Sequence, residues 1–170
     1  DNPQVFLVPL PEFCTTVPCQ DAFGTARSVT HTGKEKPPMK NVKVTVASLK
    51  SVLIDPQKNL ARVNLACKQA VRDGARMLLL PELMLTGHGG HPKMIESAEP
   101  VPDGPLTRSM IDMSREADLC LCVGIAELDH DIVYNSMAVF DRGRYLGLQR
   151  KIHMSSDEYL WFGVGEEISL

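Results

Sequence analysis

Aromatic residues are scarce in this 170-residue chain, at 5%, with a single tryptophan. No long hydrophobic run is present. The longest, residues 119–126 and 5–10, fall far short of the ~20 residues a membrane-spanning helix needs, so no membrane partner is expected. Neither sign of charge dominates, since eighteen Lys and Arg against twenty-one Asp and Glu leave a formal net charge of -3 without an extended basic run. That excludes the electrostatic footprint of a nucleic-acid or anionic-lipid binder. Cysteine is sparse and irregularly spaced (Cys14, Cys19, Cys67, Cys120, Cys122), which excludes a disulfide framework and fits a reducing, cytoplasmic setting. Only Cys14 and Cys19 are spaced for a local bridge. No basic-then-apolar leader opens the sequence, although a removed one would leave no trace. What is present, 44% hydrophobic and 23% charged residues, is the composition of one globular domain.

Six of the twelve prolines lie in residues 1–40, where helical periodicity is absent and Thr is frequent. This stretch reads as an extension, either a linker or an assembly tail, with residues 5–10 suited to an edge segment along a partner surface. A folded domain is expected over residues 41–170. Val42, Val44 and Val46 alternate with Lys43, Thr45 and Ala47, the period of a strand. Asp55-Pro56 then starts a helix, because the Asp side chain caps free amides and Pro at the first helical position gives up no needed hydrogen bond. Leu60, Val63, Ala66, Cys67, Ala70 and Val71 share one face of that helix, and Gly74 marks its end.

The wholly apolar residues 77–80 follow as a strand of the kind covered on both faces. A strand, helix, strand unit of this sort closes right-handed with parallel strands. Gly104-Pro105 opens a second helix carrying Leu106, Met110, Met113 and Ala117 on one side, and residues 119–125 form the next strand. Cys120 and Cys122 share a face of it and read as packing. Residues 132–140 and 145–150, joined through Asp141-Arg142-Gly143-Arg144, form a hairpin. The expected class is α/β (α+β): a mixed sheet with helices packed on one face.

Ligands of α/β proteins gather beyond the carboxyl ends of strands. Glu82 directly follows residues 77–81, where partial burial would raise its pKa toward that of a useful base. Lys151 ends the last strand, and a cation there suits a developing oxyanion. The plainer alternative is that both are exposed strand-end charges. His88-Gly89-Gly90-His91 reads as a pocket-rim loop, because glycines do not hold a rigid metal-binding pair and no Cys or carboxylate lies at ligand spacing. Gly143, Gly163 and Gly165 form no phosphate cradle, so neither a metal nor a cofactor is expected. His153 reads as a packed or pocket histidine, Asp157-Glu158 as a solvated turn, and Trp161 and Phe162 as packing with a pocket wall as the alternative.

Leu79-Leu80-Pro81-Glu82-Leu83-Met84-Leu85-Thr86-Gly87 resembles the segment around the general-base glutamate of the carbon-nitrogen hydrolase, or nitrilase, superfamily. Gly147-Leu148-Gln149-Arg150-Lys151-Ile152-His153-Met154 resembles its lysine motif, and Val123-Gly124-Ile125-Ala126-Glu127 and Tyr134-Asn135-Ser136 also match in order. The resemblance, over residues 42–170, implies the first part of an α-β-β-α sandwich. It implies hydrolysis of non-peptide carbon-nitrogen bonds (nitrile, amide or carbamoyl) through a Cys, Glu, Lys triad. On matching positions Glu82 would be the base, Lys151 would hold the tetrahedral intermediate, and Glu127 would position Lys151 or shape the pocket. Asn135 would satisfy backbone groups, with contact to substrate as the alternative, and the acidic, aromatic stretch that the family often has near its pocket would fall at Asp157-Glu158. In that family the nucleophilic cysteine follows the lysine motif, and no cysteine follows Cys122 here. The chain is therefore expected to represent an amino-terminal half whose thiol lies elsewhere, with a small-molecule nitrile or amide as substrate and a second copy or complementing chain as partner. The alternative is a non-catalytic assembly or binding module.

Overall fold

The computed structural model describes residues 4–6, 42–89 and 91–168. Six strands form one sheet in chain order: β1 (Gln4–Phe6), β2 (Val44–Val46), β3 (Met77–Leu79), β4 (Cys120–Asp129), β5 (Ile132–Asp141) and β6 (Arg144–Arg150). β2, β3 and β4 run parallel, while β1 and the β4, β5, β6 meander are antiparallel to their neighbours. Gln4–Phe6 thus serves as an edge strand of this chain's own sheet. Residues 7–10, Cys14 and Cys19 lie outside the described residues.

Helix α1 (Pro56–Arg72) begins as its sequence dictates, with the Asp55 carboxylate accepting from Lys58 N at 3.1 Å. A short α2 (Lys93–Ser97), absent from the sequence expectations, precedes α3 (Pro105–Ala117). Gly104 gives α3 no capping side chain, and buried Glu99 substitutes for one by accepting from the amides of Leu106 and Thr107 at 2.9 and 2.7 Å. The β5–β6 turn carries positive φ at Arg142 and Gly143, the conformation that matches strand twist in tight hairpins.

α1 and α3 pack together over one face of the sheet, burying Leu78, Leu121, Val123, Ile125, Ala138 and Phe140. Each such side chain contributes roughly 1.5–3 kcal/mol relative to exposure. Since successive strand residues alternate between faces, the opposite face carries Val44, Val46, Met77, Leu79, Cys120, Cys122, Met137 and Val139, none of them fully buried. The valine alternation of β2 therefore marks this uncovered face, whereas Thr45 and Ala47 are buried on the helix side. Val71, expected in the core, is 47% exposed at the last turn of α1. An apolar trough of about 880 Å3 runs along the open face, lined by Met137, Val139, Leu146, Ile152 and Ile168 among others.

Gly124, midway along β4, determines how closely the segment after β3 approaches. Its amide donates to the Pro81 carbonyl at 3.2 Å, and a Cβ there would stand 2.6 Å from Glu82 Cα and from the Pro81 oxygen. The same segment is tied on its far side by buried Asn59, whose amide group bonds Val52 and the Leu85 carbonyl. Gly124→Ala should destabilise the fold by about 1–3 kcal/mol through overpacking, read as a lower urea midpoint. An unchanged midpoint would mean that Glu82 is not held against β4.

Candidate active site

Glu82 enters the site on a strained turn: Leu83, the next residue, has φ 47, an uncommon conformation for a branched side chain. β5 and β6 deliver the remaining groups. Ser136 pairs with Arg150, and the Lys151 amide donates to the Asn135 carbonyl at 2.8 Å. Alternation then sends Asn135 and Lys151 to one face of the sheet and Ser136 and Arg150 to the other.

On the first face Lys151 Nζ stands 2.8 Å from Glu82 Oε1 and 2.8 Å from Glu158 Oε1. Asn135 Nδ2 donates to the same Glu82 oxygen at 2.5 Å and lies 3.3 Å from Glu158 Oε1. The other Glu158 oxygen accepts from the amide and hydroxyl of Ser155, both at 2.8 Å. Glu82 Oε2 receives neither donor, and its neighbour is His88 Nε2 at 3.9 Å. Beside the cluster lies a cavity of about 410 Å3, lined by Leu83, His88, Lys151, His153, Trp161 and Phe162 among others. Lys151 and His153 also border the apolar trough, so the two spaces adjoin.

The structure thus brings together Glu82 and Lys151, two residues 69 positions apart, and adds two that sequence reasoning set aside. Glu158 is no solvated turn residue; its side chain is only 13% exposed and bonds Lys151. Asn135 serves the carboxylates rather than the backbone. An acidic, aromatic stretch after the lysine was the available signal for Glu158. Glu127 makes no direct contact with Lys151 among the described residues. Its carboxylate accepts from Ser136 at 2.6 Å and from Arg150 at 2.6 and 3.0 Å, on the opposite face. Arg150 is further held by Asp129 at 2.6 Å and lies 3.8 Å over the Tyr134 ring.

Burial pushes the Glu82 carboxyl up, but hydrogen bonds from Lys151 and Asn135 outweigh it and hold the group below its ordinary value. This reverses the expected upward shift. With its side chain still 41% exposed, Glu82 loses too little water for desolvation to prevail. Glu158, bonded first to Lys151 and then to Ser155, is lowered to about 2. Lys151 is raised, chiefly by Glu158 and next by Glu82.

Glu82, His88 and Glu158 present ligand atoms within 4.8 Å of one another, carboxylates that the spacing of the sequence did not place near His88. The Lys151 ammonium already bridges both carboxylates, and a divalent cation there would meet its repulsion. His91 stands apart from this group, accepting from the Lys93 amide at 3.1 Å. The described cysteines are poor nucleophiles. Burial pushes Cys67 and Cys122 up to about 11 and raises Cys120, and none of them lines the cavity.

The sequence profile described as carbon-nitrogen hydrolase matches residues 43–167. The chain belongs to this family. It is 32% identical to a nitrilase of Pyrococcus abyssi (strain GE5 / Orsay) over 127 residues, 74% of this chain and 48% of that one. A glutamine-dependent NAD(+) synthetase of Thermotoga maritima is 30% identical over 134 residues, 76% of this chain and 23% of the synthetase. A solved amidase from Nesterenkonia sp. shares the fold at a TM-score of 0.64 and 21% identity, over 73% of this chain and 48% of the amidase. This member of the carbon-nitrogen hydrolase family therefore spans half or less of the length of these relatives. Among its described residues no helix is long and apolar enough to cross a membrane.

The lowered pKa of Glu158 makes the clamp a pH-dependent contributor to the stability of this chain. Its contribution is fully present above the ordinary carboxyl value of 4.5 and is lost as pH falls toward about 2. Glu158→Gln should be less stable than the parent by on the order of 1–2 kcal/mol near pH 6, with the difference closing between those limits. Urea unfolding at stepped pH measures it. A difference that persists unchanged at the acid limit would contradict the clamp.

Proposed function

We propose that this chain supplies the base and the oxyanion-holding cation of a hydrolase acting on non-peptide carbon-nitrogen bonds in a nitrile, amide or carbamoyl substrate. The observation carrying this reading is the contact between Glu82 and Lys151 at the edge of a cavity. Because Lys151 and Asn135 engage Oε1, Glu82 Oε2 is the oxygen left to accept a proton. It takes that proton from a thiol supplied outside the described residues. The thiolate adds to the substrate carbon, and Lys151 holds the negative charge that develops on the substrate heteroatom. From an amide or carbamoyl group the nitrogen departs with the proton returned by Glu82, leaving a thioester or its carbamoyl counterpart; a nitrile first gives a thioimidate, and a water must add to it before ammonia departs and the thioester remains. Glu82 then deprotonates the water that hydrolyses it.

Glu158 and Asn135 are the positioning residues of this scheme, since they fix the ammonium and the carboxylate without needing to touch substrate. The apolar trough adjoining the cavity needs a cover, and polypeptide packed there would also wall the site. The remainder of a longer polypeptide, or a complementing chain, would supply both that cover and the thiol. A non-catalytic binding module has one observation in its favour: all three described thiols are held protonated. Ammonia release separates the two readings. In the polypeptide that includes the thiol, Glu82→Gln and Lys151→Met should each lower turnover of amides or nitriles at least ~100-fold, with unchanged circular dichroism. Turnover retained in either variant would remove that residue from the chemistry.

A further inference from the structure

The cavity carries an imbalance of charge that the chemistry at Glu82 and Lys151 does not require. Its lining includes two carboxylates, Asp157 and Glu158, and Glu82 stands beside them. Lys151 is the one ammonium among the described lining residues, and Glu82 and Glu158 both bind it. Asp157 is less engaged. Its Oδ1 accepts from Ser155 Oγ at 3.2 Å, while its Oδ2 has no hydrogen-bond partner among the described residues. Trp161 lines the same space, and an indole face attracts cations.

We infer that the part of the pocket built by this chain favours amide or nitrile substrates bearing an ammonium group and turns away those bearing a carboxylate. The inference rests on reading the cavity as the substrate pocket. An ammonium remote from the scissile bond meets Asp157 Oδ2 and the Trp161 ring. A carboxylate in the same place meets three acidic groups and a lysine already paired with two of them. Discrimination of this kind works by repulsion of the wrong ligand as much as by attraction of the right one.

Trp161 is the sole tryptophan, so its fluorescence reports on the cavity directly. The chain is titrated with 4-aminobutyramide, butyramide and succinamate at pH 8, where an imidazole is ordinarily neutral. The cationic amide should bind about fivefold or more tightly than the anionic one, the scale of one partly exposed charge pair, with butyramide between them. Asp157→Asn should narrow that gap. Succinamate binding as well as or better than 4-aminobutyramide would overturn the inference, as would silence of Trp161 toward all three, or a gap that Asp157→Asn leaves unchanged. Ammonia release from butyramide by the polypeptide that includes the thiol tests the hydrolase reading separately; its absence removes that reading while the order of affinities still decides this one.

Discussion

One ammonium shared by two carboxylates organises the site. Lys151 stands 2.8 Å from both Glu82 and Glu158, while Asn135 donates to the same Glu82 oxygen. These contacts are partly open to solvent, so each contributes on the order of 1 kcal/mol to overall stability. Their value is directional. They occupy one oxygen of Glu82 and leave the other beside His88, and in the proposed chemistry they keep Lys151 charged where negative charge would develop on a substrate. The shared cation also accounts for two further features, the low pKa of Glu158 and the poor fit of a divalent metal among these groups.

Strand alternation makes that arrangement possible. Arg150 and Lys151 are adjacent cations, and the backbone turns them to opposite faces of the sheet. Arg150 is consumed by Glu127, Asp129 and the Tyr134 ring, which leaves Lys151 as the cation facing Glu82. Gly124 and Asn59 then set the position of the segment that carries Glu82, one by admitting close approach and the other by tying the loop to α1.

The same alternation decides what was legible in the sequence. Apolar runs at residues 77–80 and 119–125, the Asp55-Pro56 start and the hairpin turn are local signals, and each led to its element. The pairing of Glu82 with Lys151 was accessible only through motif resemblance, because nothing local relates residues so far apart in the chain. Glu127 turns to the face opposite Lys151; a motif gives its order but not the face toward which its side chain points. Glu158 was missed because it sits on a short 3-10 turn with no periodicity to mark it. The Glu82 shift runs opposite to what burial alone predicts, because Asn135 and Lys151 bring donors that no local signal around Glu82 reveals. The alternation of the β2 valines marks a strand but not which face is covered; Val44 and Val46 lie on the sheet face that α1 and α3 leave open.

That trough and the cavity meet at Lys151, so closure of the fold and completion of the site are a single event in this account. The most direct measurement is the titration of the Lys151 side chain, followed by NMR in lysine-labelled protein. The expected midpoint lies above the ordinary lysine value of ~10.4 and moves back toward it when Glu158 is replaced by Gln. A midpoint at or below the ordinary value in the parent chain would mean that the ammonium is not held between two carboxylates, and the site as described would not exist.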